Sequence, residues 1–86
     1  MNADHIQVSI KLFAVYQEVI GESEIIQELP AGTSAGDVLQ GLINKYPQLD
    51  QWRSVTRLGI NLDFVESDRH LQDGDELVFI PPVSGG

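Results

Sequence analysis

Glu76-Leu77-Val78-Phe79-Ile80 is apolar at every position after its first residue. Strand geometry puts Leu77 and Phe79 on one side of such a segment and Val78 and Ile80 on the other. A strand loaded on both sides is either covered twice or covered once and met by a partner on its second face. The chain has 86 residues, 42% of them hydrophobic, which is enough for one core and too little for two. A core of that size hides about 60% of the surface of the unfolded chain, so it leaves little room for an internal cofactor pocket. Any chemistry is expected at the surface or the termini.

Upstream, Ile6, Val8, Ile10 and Leu12 alternate with Gln7, Ser9 and Lys11, the period of a half-buried strand. Phe13 falls on the polar parity, so in a regular strand its ring points to the solvent side. After a segment around Gly21, Ser23 to Leu29 reads as a second strand closed by Pro30-Ala31-Gly32. Ser34-Ala35-Gly36-Asp37 fits a capping box, and Val38, Leu39, Leu42, Ile43 and Tyr46 follow at helical spacing for about twelve residues until Pro47. Residues 48–57 show little pattern and read as irregular with a short helical turn, and Trp52 is expected as a satellite of the core. Leu58, Ile60 and Leu62 suggest a third strand, Phe64-Val65 a short fourth, and Gln72-Asp73-Gly74-Asp75 a polar turn into the last.

One helix can cover only one face of so small a sheet. Strand, strand, helix and then strands, with the last strand parallel to the first in the middle, is an α+β, ubiquitin-like β-grasp arrangement. The expectation is a mixed sheet of four to five strands, one main helix packed on one face, and an extended C-terminal tail, with residues 1–80 forming the domain and residues 81–86 the tail.

Composition narrows the function classes. The formal charge is −8, from 13 acids against 5 bases, which argues against nucleic acid and for a basic protein surface as partner. The absence of cysteine excludes a disulfide framework, a thiolate zinc site and a side-chain sulfur carrier. His5 and His70 lack further ligands at metal spacing, and Asp73-Gly74-Asp75-Glu76 lacks the spaced oxygens of a calcium loop, so no metal is expected. No segment has the charge pattern of a leader or the length of a membrane span, and a cytoplasmic location is expected.

The tail carries the strongest functional signal. Pro81 and Pro82 stop ladder pairing and hold the chain extended, and the six residues from Pro81 to Gly86 reach at most about 20 Å. That is enough to thread a narrow channel in another protein, and Gly85 and Gly86 have no side chains to obstruct it. A terminal carboxylate becomes electrophilic once adenylated, and a sulfur donor can then displace AMP and leave a thiocarboxylate on Gly86. Ser84, the tail's hydroxyl, has no neighbouring His base and is no nucleophile candidate.

Phe79-Ile80-Pro81-Pro82-Val83-Ser84-Gly85-Gly86 resembles the terminus of the small subunits of molybdopterin synthase, a family of ubiquitin-like sulfur carriers. Leu71-Gln72-Asp73-Gly74-Asp75-Glu76 is similar to the turn before it, Leu12-Phe13-Ala14 and Val19-Ile20-Gly21 to the family's first strand and loop, and Asn61 to an asparagine near the end of its third strand. The resemblance implies that an ATP-dependent activating enzyme adenylates Gly86, that a sulfurtransferase system supplies sulfur, and that the tail inserts into the synthase large subunit. It implies no permanently bound cofactor, since ATP is used by the activating enzyme, and it leaves catalysis to the large subunit. Phe13, Phe64 and Ile80 match positions that meet the large subunit in the family, with Val78 beside Ile80 on the same face and Pro81, Pro82, Val83 and Ser84 in the inserting segment. Three other readings are a sulfur carrier for thiamine or another thiolation pathway, a ubiquitin-like modifier joined through Gly86 to target lysines, and a domain that only presents the Phe13 and Ile80 face.

Overall fold

The computed structural model describes residues 4–81. Its elements run β1 (His5–Leu12), α1 (Val15–Ile20), β2 (Glu24–Pro30), α2 (Ala35–Lys45), a 3₁₀ segment (Pro47–Val55), β3 (Arg57–Ile60), β4 (Asp63–Val65) and β5 (Glu76–Ile80). Alternation in β1 buries Val8, Ile10 and Leu12 on one side, while β5 turns Leu77 and Phe79 the same way. The strands form one mixed sheet in the order β2-β1-β5-β3-β4. β1 and β5 are parallel and central, with Leu12 opposite Phe79, and the remaining pairs are antiparallel. This is the ubiquitin-like β-grasp that the element order implied.

Helix α2 forms where its caps say it should. The Asp37 amide donates to Ser34 Oγ at 3.1 Å and the Ser34 amide donates to Asp37 Oδ2 at 3.1 Å, closing a capping box. Lys45 lies in the last turn, where its charge complements the helix dipole, and the run stops at Tyr46 before Pro47. The stripe Val38, Leu39, Leu42 and Ile43 is buried against the inner face of the sheet. Gly36 serves a close approach: its amide donates to the Ser67 carbonyl at 2.8 Å, and a Cβ there would stand 2.8 Å from Ser67 Cβ. The loop over residues 66–71 is thereby stitched to the start of α2, with Ser34 bridged to His70 and Leu71 buried beneath.

The structure corrects one local expectation, for Leu62, and fills in two stretches that the sequence pattern left open. The segment before Gly21 is the short helix α1, whose Tyr16 is fully buried, with its hydroxyl 2.5 Å from Thr56 Oγ1 and its ring 5.5 Å from that of Phe79. Residues 48–57 are mostly the 3₁₀ segment, which buries Leu49 completely while Trp52 packs on the core's edge. Leu62 does not continue β3: the strand ends at Ile60, and Leu62 stands in the following turn with 95% of its surface exposed.

The polar turn before β5 is held from three sides. Gly74 adopts a φ of 87°, open to glycine at no steric cost. The Gln7 amide donates to Asp73 Oδ1 at 2.8 Å, the Gln72 amide to Asp75 Oδ2 at 2.8 Å, and Asn61 Nδ2 to Asp75 Oδ1 at 2.9 Å. The Glu76 amide donates in turn to Asn61 Oδ1 at 3.0 Å. Asn61 thus ties the β3–β4 turn to the start of β5.

Candidate functional site

Among the described residues no helix lies over the sheet's outer face, and the strand register decides which side chains meet there. Strand pairing sets Glu24, Lys11, Val78, Gly59 and Phe64 side by side across all five strands. Ile80 pairs with Arg57 in the next row, and the Arg57 guanidinium lies 4.6 Å from the centre of the Phe64 ring. Gly59, lacking a side chain, leaves a dip between Val78 and Phe64. The result is a concavity of about 470 Å³ with Val78 and Ile80 in its floor and Phe13, Leu62 and Phe64 around it. Lys11 marks one border, its Nζ 3.5 Å from Glu24 and 3.9 Å from Glu76.

Beside Phe13 and around Leu62 the backbone takes a positive φ at three non-glycine residues. Ala14 has φ 52° and ψ −124°, a region that L-residues avoid, and it turns the chain from Phe13 into α1. Asn61 and Leu62 have φ of 51° and 78° between the paired Ile60 and Asp63, as the central pair of a two-residue type I′ hairpin turn requires. The second of those positions suits glycine, and a leucine there costs on the order of 1 kcal/mol. Phe13, Leu62 and Phe64 keep 50%, 95% and 65% of their surface exposed beside one concavity, an apolar cluster of the kind that marks interaction surfaces.

Of the candidate residues, Phe13, Phe64, Val78 and Ile80 come together at this face, and Pro81 continues directly from it, half-buried. Pro82, Val83, Ser84, Gly85 and Gly86 lie outside the described residues. Leu62, Lys11 and Gly59 belong to the face and were not singled out by sequence. The signal for Leu62 was Asn61, a strong turn former between two apolar runs, overridden by an alternation that happened to continue one step too far. Among the described residues, no group of three or more His, Asp or Glu side chains is placed to hold a metal, and no helix is long and apolar enough to cross a membrane. In the core, burial raises the Tyr16 phenol's pKa above its usual value, against a smaller opposing effect of its bond to Thr56. What the outer face can do is bind an apolar surface.

Comparison with known proteins gives a consistent picture. The ThiS family profile matches residues 10–86. A molybdopterin synthase sulfur carrier subunit of Dictyostelium discoideum is 36% identical over 83 residues, covering 93% of this chain and 96% of that protein. The Arabidopsis thaliana protein of the same name is 32% identical over 81 residues, covering 94% of this chain and 84% of that one. Among solved structures, SAMP1 of Haloferax volcanii, a small archaeal modifier protein, superposes with a TM-score of 0.79 at 27% identity, over 93% of this chain and 99% of that one.

Proposed function

Because the chain belongs to the ThiS family, with relatives named as molybdopterin synthase sulfur carrier subunits, we propose that it is the sulfur-carrying small subunit of a molybdopterin synthase. In this reading a carboxylate oxygen of Gly86 attacks the α-phosphorus of ATP on an activating enzyme, and pyrophosphate leaves. A sulfur donor then displaces AMP, so that the acyl carbon of Gly86 carries sulfur in place of one oxygen. The thiocarboxylated tail enters the large subunit, and two such deliveries build the dithiolene of molybdopterin from cyclic pyranopterin monophosphate. Gly86 carries the sulfur, Gly85 keeps the approach open, Pro81 to Ser84 supply reach, and the work takes place in the cytoplasm. No cofactor stays bound to this chain.

The observation that carries the reading is continuity. Val78 and Ile80 form the floor of the apolar concavity, and the same strand leads through Pro81 into the segment ending in Gly85-Gly86. A partner seated on the concavity is therefore within reach of the tail, about 20 Å at most from Pro81. Apolar docking with delivery of a terminal group needs that adjacency, and the acidic chain favours a basic partner surface.

Intact-mass spectrometry of the protein made with its activating enzyme and sulfur donor is expected to show a fraction heavier by the exchange of one oxygen for sulfur. Deleting Gly86 should remove that fraction and all sulfur transfer while the fold persists. Absence of the heavier species with both enzymes present would reject the proposal. The likeness to a protein named as a modifier favours a second reading, in which Gly86 is joined to lysines of other proteins. That reading would appear in the same spectra as higher-mass covalent adducts.

A further inference from the structure

Leu62 combines two features that work against the isolated fold. It occupies the turn position where glycine is preferred, at a φ of 78°, and it holds an apolar side chain 95% exposed to water. Neither feature helps the fold: the hairpin needs only a residue tolerant of positive φ, and the core gains nothing from an exposed leucine. Backbone strain of this kind persists where the surroundings enforce it, and it gathers at functional sites. The enforcement is visible here. Ile60 pairs with Asp63, and both functional groups of the Asn61 side chain are anchored, to Asp75 and to the Glu76 amide, so the turn is fixed and Leu62 is displayed in one direction.

We propose that Leu62 is an anchor of the docking face, a side chain that enters an apolar pocket of the synthase large subunit and stabilises the complex at the expense of the free small subunit. This rests on the reading that a large subunit covers the concavity. The same concavity is lined by Phe64, Val78 and Ile80, so a partner seated over the start of the tail meets Leu62 in the same contact. Asp63 and Glu76 also line it. The matching pocket is therefore apolar with a basic edge, in keeping with a chain of net charge −8.

The test sets stability against affinity in one variant. In Leu62→Gly the full-length chain is expected to melt no lower than wild type, and up to about 4 °C higher, because relief of the strained φ opposes the added freedom of glycine in the unfolded chain. Affinity for the purified cognate large subunit, measured by titration calorimetry, is expected to fall at least about tenfold, the consequence of losing one buried leucine. Leu62→Met, which restores an apolar side chain at the same strained position, should recover most of the affinity. Unchanged affinity in Leu62→Gly, with affinity lost in Phe64→Asp, would overturn the anchor while leaving the docking face intact. If wild type itself binds no large subunit, the underlying reading fails instead. Self-association of the wild type that disappears in Leu62→Gly, with large-subunit binding unaffected, would assign the residue to a contact between copies and also overturn the proposal.

Discussion

The two sides of β5 are made of the same kind of residue and meet opposite fates. Leu77 and Phe79 are fully buried beneath α2 and beside Tyr16, whereas Val78 and Ile80 form the floor of an open concavity bordered by Phe13, Leu62 and Phe64. Composition does not distinguish them. What does is that the described residues form a single long helix, capped at Ser34 and ended before Pro47, which has one sheet face to cover. The lesson is a separation of duties across one strand: the inner side chains hold the fold, and the outer ones are free to answer to a partner. Substitutions can be aimed at either side.

The largest effect is expected inside. Phe79→Ala removes a fully buried ring that stacks at an angle on Tyr16, a change that costs about 3–5 kcal/mol where neighbours cannot collapse into the gap. Against a total stability of about 5–15 kcal/mol, the urea midpoint should drop sharply. A midpoint close to wild type would break the comparison, because it would mean that the inner face is not the main source of stability.

Phe64→Asp is the matching change outside. The ring is 65% exposed, so the fold loses little beyond its stacking with Arg57, about 1 kcal/mol or less. Affinity for the large subunit, by contrast, is expected to fall at least about thirtyfold, the size typical of an aromatic anchor at an interface. Equal affinities for the variant and wild type in titration calorimetry would refute docking through this face.

The sequence showed the helix-and-sheet frame because its signals were long and redundant. β1 alternates over its whole length, α2 has both a capping box and an apolar stripe, and β5 is an uninterrupted apolar run before two prolines. The parts that were not legible are short or set by tertiary contacts. Helix α1 has six residues, less than two turns, and it forms because Ala14 redirects the chain and Tyr16 finds a core site beside Phe79. Leu49 and Trp52 lie in a 3₁₀ segment, whose three-residue spacing matches neither the period of an α-helix nor that of a strand. At the outer face, Phe13, Val78 and Ile80 followed from strand parity, and Phe64 from resemblance. Leu62 was read as part of β3 because it continues the alternation of Leu58 and Ile60, while the turn that flips it outward is decided by backbone angles.

Tyr16 sharpens the comparison from within, since among the described residues it is the fully buried core side chain with a hydroxyl to satisfy. In Tyr16→Phe the bond to Thr56 is lost, but the Thr56 hydroxyl still donates to the Trp52 carbonyl at 2.8 Å, so no donor is orphaned. The expected cost is about 1 kcal/mol, a fall in Tm of about 4–8 °C. The pH dependence has a definite sign. Burial raises the phenol's pKa in the folded state, so the neutral form contributes stability that is fully present below the unfolded value of about 10 and is lost as pH rises through the folded one. Wild type should therefore lose stability more steeply than Tyr16→Phe in this alkaline range, and parallel curves would remove Tyr16 as the cause.

The smallest effect is expected at the border of the outer face. Lys11 pairs with Glu24 and Glu76, all three partly exposed, and such pairs contribute about 0–1 kcal/mol and are screened by salt. Lys11→Met keeps the aliphatic stem over the sheet and removes only the charge, so thermal unfolding should be nearly unchanged. Association is a different matter. Taking away one positive charge makes an already acidic chain more so and frees two carboxylates at the edge of the concavity, which should speed encounter with the basic partner surface proposed above by about twofold at low salt. The difference should shrink steeply at about 1 M salt, where the Debye length is about 3 Å and exposed charges farther apart than that are largely screened. Stopped-flow rates that do not separate at low salt would mean that the outer face is recognised by its apolar shape alone.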